Sequence, residues 1–387
     1  MKTILKLTIT LMLGATNCVF SQQWETNGTV VAGGNGYGEN SNQFKQLMSV
    51  SVDTEGNVYV PDLGNHRIQK WAPHATEGFT ILGGQGNSAT ALFLPTNIIG
   101  ENDGTIFISD SGNNRVQMFL PGTKEGITIA GGNGAGSDLN QLNFQGGIFK
   151  KGNDLYIVDS GNFRVLKWTI GGLVVAGGNG FGSELDQLGI PALNGTLYVD
   201  DLENIYITEY SNSRVTKWEK GASEGIIVAG GEAGYMKNPS GLLVLEDGKI
   251  LVSDYAHDFW GVSLWENGKF INYAISTESS ELTQPTGLFL DSGKNLYVAN
   301  YGENNVKKFN YKTLNTSDLE KLTLSIYPNP VMDELNVNST KKINNLSIYD
   351  STGKIILQKS GDNINKVNVS HFTRGLYFVN ISNGIES

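Results

Sequence analysis

Four segments of this chain are near copies of one another: VYVPDLGNHRIQKW (58–71), IFISDSGNNRVQMF (106–119), LYIVDSGNFRVLKW (155–168) and IYITEYSNSRVTKW (205–218). Two looser copies follow, ILVSDYAHDFWGVSLW (250–265) and LYVANYGENNVKKF (296–309). Arg67, Arg115, Arg164 and Arg214 stand 48, 49 and 50 residues apart. A period near 50 belongs to propellers or solenoids, in which no unit can bury its apolar face alone.

Each unit reads as strands. Before the copies lie apolar runs ending in turn residues, such as SVSVDTEGN (49–57), NIIGENDG (97–104), GLLVLEDG (241–248) and GLFLDSGKN (287–295). Gly with Asn or Asp between two β-rich runs is a hairpin signal. Between units a further short strand runs into glycines: FTILGGQG (79–86), ITIAGGNG (127–134), LVVAGGNG (173–180) and IIVAGGEAG (226–234). One unit is therefore four antiparallel strands, a to d, the composition of a propeller blade. Six a-b-c triplets are present but only five d strands lie between them, counting the degenerate KFINYAIS (269–276). The sixth, TVVAGGNG (29–36), stands alone before the first triplet. In a closed wheel it would complete the last blade and remove the exposed edges that an open stack must cap.

The segments DLGNHRIQKW, DSGNNRVQMF and DSGNFRVLKW resemble NHL repeats, whose members form six-bladed β-propellers. The resemblance spans about residues 28 to 310. It is strong in units one to four and weak in five and six, where Phe259 and Asn305 stand in place of the arginine. The expected main body is an all-β, six-bladed propeller over residues 24–310.

Both ends have a different character. Lys2 and Lys6, the apolar stretch Leu7 to Leu13 and Val19-Phe20-Ser21 read as a secretory signal over residues 1–21, cleaved before Gln22. Cys18, the one cysteine, would leave with it, so the exported chain would rely on packed area rather than disulfides. After a polar linker (311–323) come LSIYPNP (324–330), ELNVNS (334–339), NLSIYDSTGKIIL (345–357), KVNVS (366–370) and GLYFVNIS (375–382). These short runs predict a small β-sandwich of immunoglobulin-like type over 324–387. YPNP (327–330), IYDSTGK (348–354) and RGLYFV (374–379) resemble the C-terminal sorting domain of the type IX secretion system of Bacteroidetes. That resemblance implies the secretion machinery as a partner and a secreted or surface-attached protein. Members of that family usually continue into a lysine-bearing last strand, so the expectation is a copy shortened at Ser387.

Charge narrows the partners. Without Lys2 and Lys6 the 28 basic residues become 26 against 38 acidic ones, a net charge of −12. Such a chain repels a phosphate backbone, so nucleic acid is not an expected partner. No later segment holds 18 consecutive apolar residues, and no transmembrane span is predicted.

Candidate chemistry is sparse. Strand b ends in Asp62, Asp110, Asp159, Glu209, Asp254 and Asn300, with Arg five residues on in four units. A feature repeated around a wheel is expected to be scaffold, as are the aromatics Trp71, Phe119, Trp168, Trp218, Trp265 and Phe309. The GGNGYG and GGNGFG stretches lack the helix that a dinucleotide loop requires. His66, His74, His257 and His371 show no paired metal spacing, and no cysteine nucleophile is expected once Cys18 leaves with the signal. No cofactor is expected. Calcium would suit the oxygen-rich turns, but Asp53–Asn57 reads more economically as a hairpin.

The irregular face is the one carrying the b–c and d–a loops. After the strand-b acid come Leu63, Ser111 and Ser160, then Tyr210, Tyr255 and Tyr301 on consecutive units. Unit five adds His257, Phe259 and Trp260 in a longer loop. Departure from a uniform scaffold is where function is expected to reside. The reading is a non-enzymatic binding protein, using Tyr210, Tyr255, His257, Trp260 and Tyr301 for a protein, peptide or glycan. The alternative is a hydrolase or lyase of the lactonase or streptogramin-lyase kind, with a metal in the central channel.

Overall fold

The computed structural model describes residues 23–312 except 170, 232–234, 257–259 and 276–280, and residues 325–382 except 328–330, 332, 340, 341, 351, 362, 374 and 376. The expected signal segment, Cys18, His257 and Phe259 lie outside the described residues. The chain divides after Lys312 into two compact units.

The larger unit is all-β. A lone first strand, β1 (Thr29–Gly33), precedes sheet one, formed by β2 (Ser51–Val52), β3 (Val58–Asp62), β4 (Arg67–Trp71) and β5 (Phe79–Gly83). Sheet two holds β6 (Pro95–Gly100), β7 (Ile106–Asp110), β8 (Arg115–Phe119) and β9 (Ile127–Gly131). Sheet three holds β10 (Ile148–Lys151), β11 (Asp154–Asp159), β12 (Arg164–Trp168) and β13 (Gly172–Gly177). In sheet four are β14 (Leu197–Val199), β15 (Ile205–Glu209), β16 (Arg214–Trp218) and β17 (Ile226–Gly230). Sheet five comprises β18 (Pro239–Val244), β19 (Ile250–Asp254), β20 (Gly261–Glu266) and β21 (Lys269–Ile275). Sheet six takes β22 (Pro285–Leu290), β23 (Leu296–Asn300) and β24 (Asn305–Phe309), and its fourth strand is β1. Thr29 faces Lys308 and Gly33 faces Asn305 across that last antiparallel pair.

The paired glycines have a physical cause. Gly33, Gly131, Gly177 and Gly230 end a d strand at φ between +65 and +72. A Cβ there would fall 2.3–2.6 Å from the carbonyl oxygen of Asn304, Asn114, Phe163 or Ser213. Only glycine relieves both the left-handed backbone and the close approach.

Burial joins each sheet to its predecessor. Phe119 packs with Ile68 and Leu82 of sheet one, Trp168 with Phe107 and Val116 of sheet two, and Trp218 with Tyr156 and Val158 of sheet three. Trp265 meets Val215 and Ala229, and Phe309 meets Leu251 and Val262. Trp71 of sheet one shares its core with Tyr297, Ala299 and Val306 of sheet six. A second link runs through hydroxyls, from strand b, the turn after it or strand a of one sheet to strand a, or the residues just before it, in the next. Ser111 Oγ donates to Gln145 O at 2.6 Å, Ser160 Oγ to Asn194 O at 2.6 Å and Thr208 Oγ1 to Ser240 O at 3.3 Å. Ser253 Oγ donates to Thr286 O at 2.5 Å, and Thr286 Oγ1 to Leu47 O at 3.0 Å. These bonds run from sheet two through sheet six and back to sheet one. The arrangement is propeller-like.

The smaller unit holds two three-stranded sheets. β25 (Ser325–Tyr327), β26 (Glu334–Asn338) and β29 (Lys366–Asn368) form one. β27 (Asn345–Asp350), β28 (Ile355–Ser360) and β30 (Tyr377–Ser382) form the other. Leu335, Val337 and Val367 share one core with Leu346, Ile348 and Val379.

Candidate functional site: a tyrosine ledge where the repeat breaks

Sheets one to four solve the b–c connection identically. Strand b ends on a carboxylate, a short 3-10 turn follows, and one left-handed residue returns the chain to strand c. Asp62 accepts from Lys45 N at 2.7 Å, Asn65 Nδ2 at 2.7 Å and Arg67 Nε at 2.7 Å. Arg67 also donates to the Asn40 and Gln43 carbonyls, pinning the d–a loop. Asp110–Arg115, Asp159–Arg164 and Glu209–Arg214 repeat the pair at 2.7, 2.8 and 3.0 Å. All four acids are fully buried. Burial lifts Asp62 and Asp159 above the usual carboxylate range, against the pull of Asn65 or Asn162, backbone N–H groups and the arginine. The acids accept from backbone, amide and guanidinium donors of their own loops, so the pairs hold loops.

Sheet five departs from this turn, and sheet six keeps the turn, with Asn304 left-handed, but not the charges. Asp254 accepts from Lys237 N at 2.5 Å, Asn238 N at 3.1 Å and Ala256 N at 2.8 Å. Its register partner on strand c is Gly261, which corrects the assignment of Phe259 to the arginine position. The b–c connection of sheet five is two residues longer, so counting five residues on from the acid lands inside the loop. Burial raises Asp254, with the three N–H donors and the Lys237 charge opposing. In sheet six both partners are neutral: Asn300 Oδ1 accepts from Thr283 N at 2.7 Å, and Asn300 Nδ2 donates to Asn305 Oδ1 at 3.2 Å.

Immediately after Glu209, Asp254 and Asn300 stand the tyrosines. Tyr210 and Tyr255 have ring centroids 6.1 Å apart, inclined at 54°. Tyr255 and Tyr301 are 5.5 Å apart at 68°. All three are half-buried and open to solvent on one side. At the same place in sheets one to three, Leu63, Ser111 and Ser160 are buried. Trp260 joins the group through its Nε1, which donates to Tyr255 O at 3.2 Å. Burial, then the neighbouring Tyr301 and Tyr210, push the Tyr255 hydroxyl up to about 12, so it stays protonated at neutral pH. Sequence reasoning missed Asn238. Its Nδ2 donates to Tyr210 O at 3.2 Å and its carbonyl accepts from Tyr255 N at 3.0 Å. It ties two tyrosines together from a d–a loop with no repeat signature.

Oxygen-rich turns hold hairpins. Asp53 accepts from Glu55 N, Asn57 N, Asn57 Nδ2 and Tyr59 OH at 2.7–3.0 Å. The same Asp–Asn–Tyr clasp recurs at Asp200–Asn204–Tyr206 and Asp291–Asn295–Tyr297. His66 Nδ1 accepts from Leu94 N at 3.2 Å, linking sheet one to the next loop. Among the described residues no three His, Cys, Asp or Glu side chains converge as metal ligands, and no helix is long and apolar enough to cross a membrane.

Comparison with known proteins identifies one domain. Residues 325–387 match the secretion system C-terminal sorting domain, the type IX sorting tail, which marks the chain for export to the cell surface or the medium. No curated protein matches the chain. A protein of unknown function from Bacteroides thetaiotaomicron superposes with a TM-score of 0.53 and 14% identity, over 75% of this chain and 76% of that one. A gluconolactonase from Xanthomonas campestris gives 0.51 and 11%, over 70% and 88%. A streptogramin B lyase gives 0.48 and 12%, over 70% and 96%. At these identities the likeness to the first two is one of fold alone. The class is thus an exported, propeller-like all-β protein with a type IX sorting tail.

Proposed function

We propose that this chain is an exported binding protein whose b–c/d–a face recognises a protein, peptide or glycan. The observation that carries the reading is the contact of Tyr210, Tyr255 and Tyr301 on consecutive sheets, from the last sheet that keeps the acid–arginine pair to the two that lose it. Its scaffold, in this reading, is a closed six-bladed propeller of the NHL type, followed by an immunoglobulin-like sandwich. Closure is supported by β1 lying in sheet six and by the Trp71 core shared between sheets one and six. Half-buried aromatic side chains offer large contact area at low entropic cost, which suits recognition. Tyr210→Ala, Tyr255→Ala and Trp260→Ala combined should abolish capture of the partner that the intact protein retains from its own cell surface. Unchanged capture by the folded triple variant refutes the site.

The second reading, a metal-dependent hydrolase or lyase, draws on the fold likeness to the gluconolactonase. Metal analysis of the purified protein separates the two, and stoichiometric calcium required for turnover of a lactone would favour the enzyme.

A further inference from the structure

We propose that the tyrosine ledge receives the cationic side chains of a basic peptide segment on a partner protein. This rests on the reading of the ledge as the binding site and adds the chemistry of its ligand. The first argument is the contrast with the four strand-b tyrosines that face a lysine across the b–c ladder. Lys70 lies over Tyr59 at 5.2 Å, Lys167 over Tyr156 at 5.5 Å, Lys217 over Tyr206 at 6.0 Å and Lys308 over Tyr297 at 5.4 Å. Each lysine is the register partner of its tyrosine across the b–c pair. The electron-rich face of the ring attracts a cation, and the ladder supplies one. Among the described residues, no lysine or arginine lies over Tyr210, Tyr255 or Tyr301 in this way.

The second argument is charge. Directly before Tyr255 stands Asp254, 2% exposed, where Gly261 replaces the arginine that neutralises the same position in sheets one to four. Its negative charge acts on Tyr210 across the sheet boundary. The charged groups around the ledge are mixed. Lys237, exposed on the d–a loop, faces Asp254, and Glu303, in the turn after Tyr301, faces Lys307 at 3.7 Å. Lys307 is itself held by Glu281. Across the whole chain, acids outnumber bases by ten. Stacking faces beside a carboxylate lacking its structural arginine complement an arginine or lysine side chain, whereas a neutral sugar would gain nothing from Asp254.

The test titrates the purified full chain with three short peptides of equal length, rich in arginine, glutamine or glutamate, and with a neutral oligosaccharide, at low and high salt. Arginine should be preferred over glutamine by about 3- to 30-fold. Tyr255→Leu should erase that preference, and Asp254→Asn should reduce it and its salt dependence. Asn is already accommodated at the equivalent place in sheet six, so this variant should keep the fold. Equal affinity for the arginine and glutamine peptides, or no measurable arginine-peptide binding, overturns the assignment. If the oligosaccharide binds and Tyr255→Leu removes it, the ledge survives as a site and the cationic assignment falls. If Tyr255→Leu changes nothing for any ligand, both fall.

Discussion

Sheets one to four and sheets five to six were cut from one repeat, yet they handle the end of strand b in opposite ways. In the first group a buried acid is neutralised by an arginine that also holds the d–a loop, and a buried Leu or Ser follows in sheets one to three. Sheet four keeps the pair but already carries Tyr210. Sheet five keeps the acid and drops the arginine; sheet six drops both charges. The joining of neighbouring sheets does not depend on the pair, since sheets five and six meet their neighbours by the same aromatic and hydroxyl contacts. The scaffold therefore tolerates loss of the ion pair where something else is gained, and what is gained there is the aromatic surface.

This comparison breaks most easily at an intact pair. Arg164→Ala should cost about 3–5 kcal/mol, because it leaves the fully buried Asp159 without its counter-ion. It also frees the Ser137 and Asp138 carbonyls. Asp159→Asn combined with Arg164→Asn, which copies sheet six, should cost clearly less than the single change. Urea unfolding of the three proteins checks this, and a double variant as unstable as Arg164→Ala would show that sheet six is stabilised by something other than neutrality.

How much of this was legible in the sequence depends on where the repeat is strict. The stranded TVVAGGNG segment announced its partner because strand counting left one triplet short, and Thr29–Gly33 lies beside Asn305–Phe309. Tyr210, Tyr255 and Tyr301 could be aligned because each follows the strand-b terminus directly. Gly261 was missed because the arginine position was counted five residues on from the acid, across the longer loop of unit five, although the copy is visibly two residues longer. The hydroxyl contacts were hidden for another reason: their donors come from different positions, after strand b at Ser160, within it at Ser253 and on strand a at Thr286. In the smaller unit the single run 345–357 contains two strands, divided at the Asp350 turn, where Thr352 and Lys354 donate to the carboxylate.

A smaller effect sharpens the comparison at the turn after strand b. Ser160→Ala removes the donor to Asn194 O and should cost about 1–2 kcal/mol, the expense of a buried carbonyl left unpaired. Sheet one carries Leu63 at the same place, so the cost should reflect the lost bond alone, with no change in the denaturant slope. A loss larger than 3 kcal/mol, roughly the ceiling for one neutral bond, would mean that the hydroxyl contacts act cooperatively.

The smallest effect is the most discriminating. Burial raises Asp254 in the folded protein, so between the ordinary carboxylate value and that raised value the folded state binds more protons than the unfolded one. Stability contributed by this group is therefore present below the unfolded value and is lost as pH rises through the folded one. Asp254→Asn removes that dependence. Its Oδ1 keeps the Asn238 and Ala256 donors, while its Nδ2 opposes the Lys237 N–H. Relief of the buried charge and loss of one bond should nearly cancel, leaving a change within about 1 kcal/mol at neutral pH. Thermal unfolding across mildly acidic to neutral pH should then give a flatter profile for the variant, while basic-peptide binding falls. Were the variant instead strongly destabilised, the carboxylate would belong to the loop, as in sheets one to four, and the distinction between the two groups of sheets would reduce to the tyrosines alone.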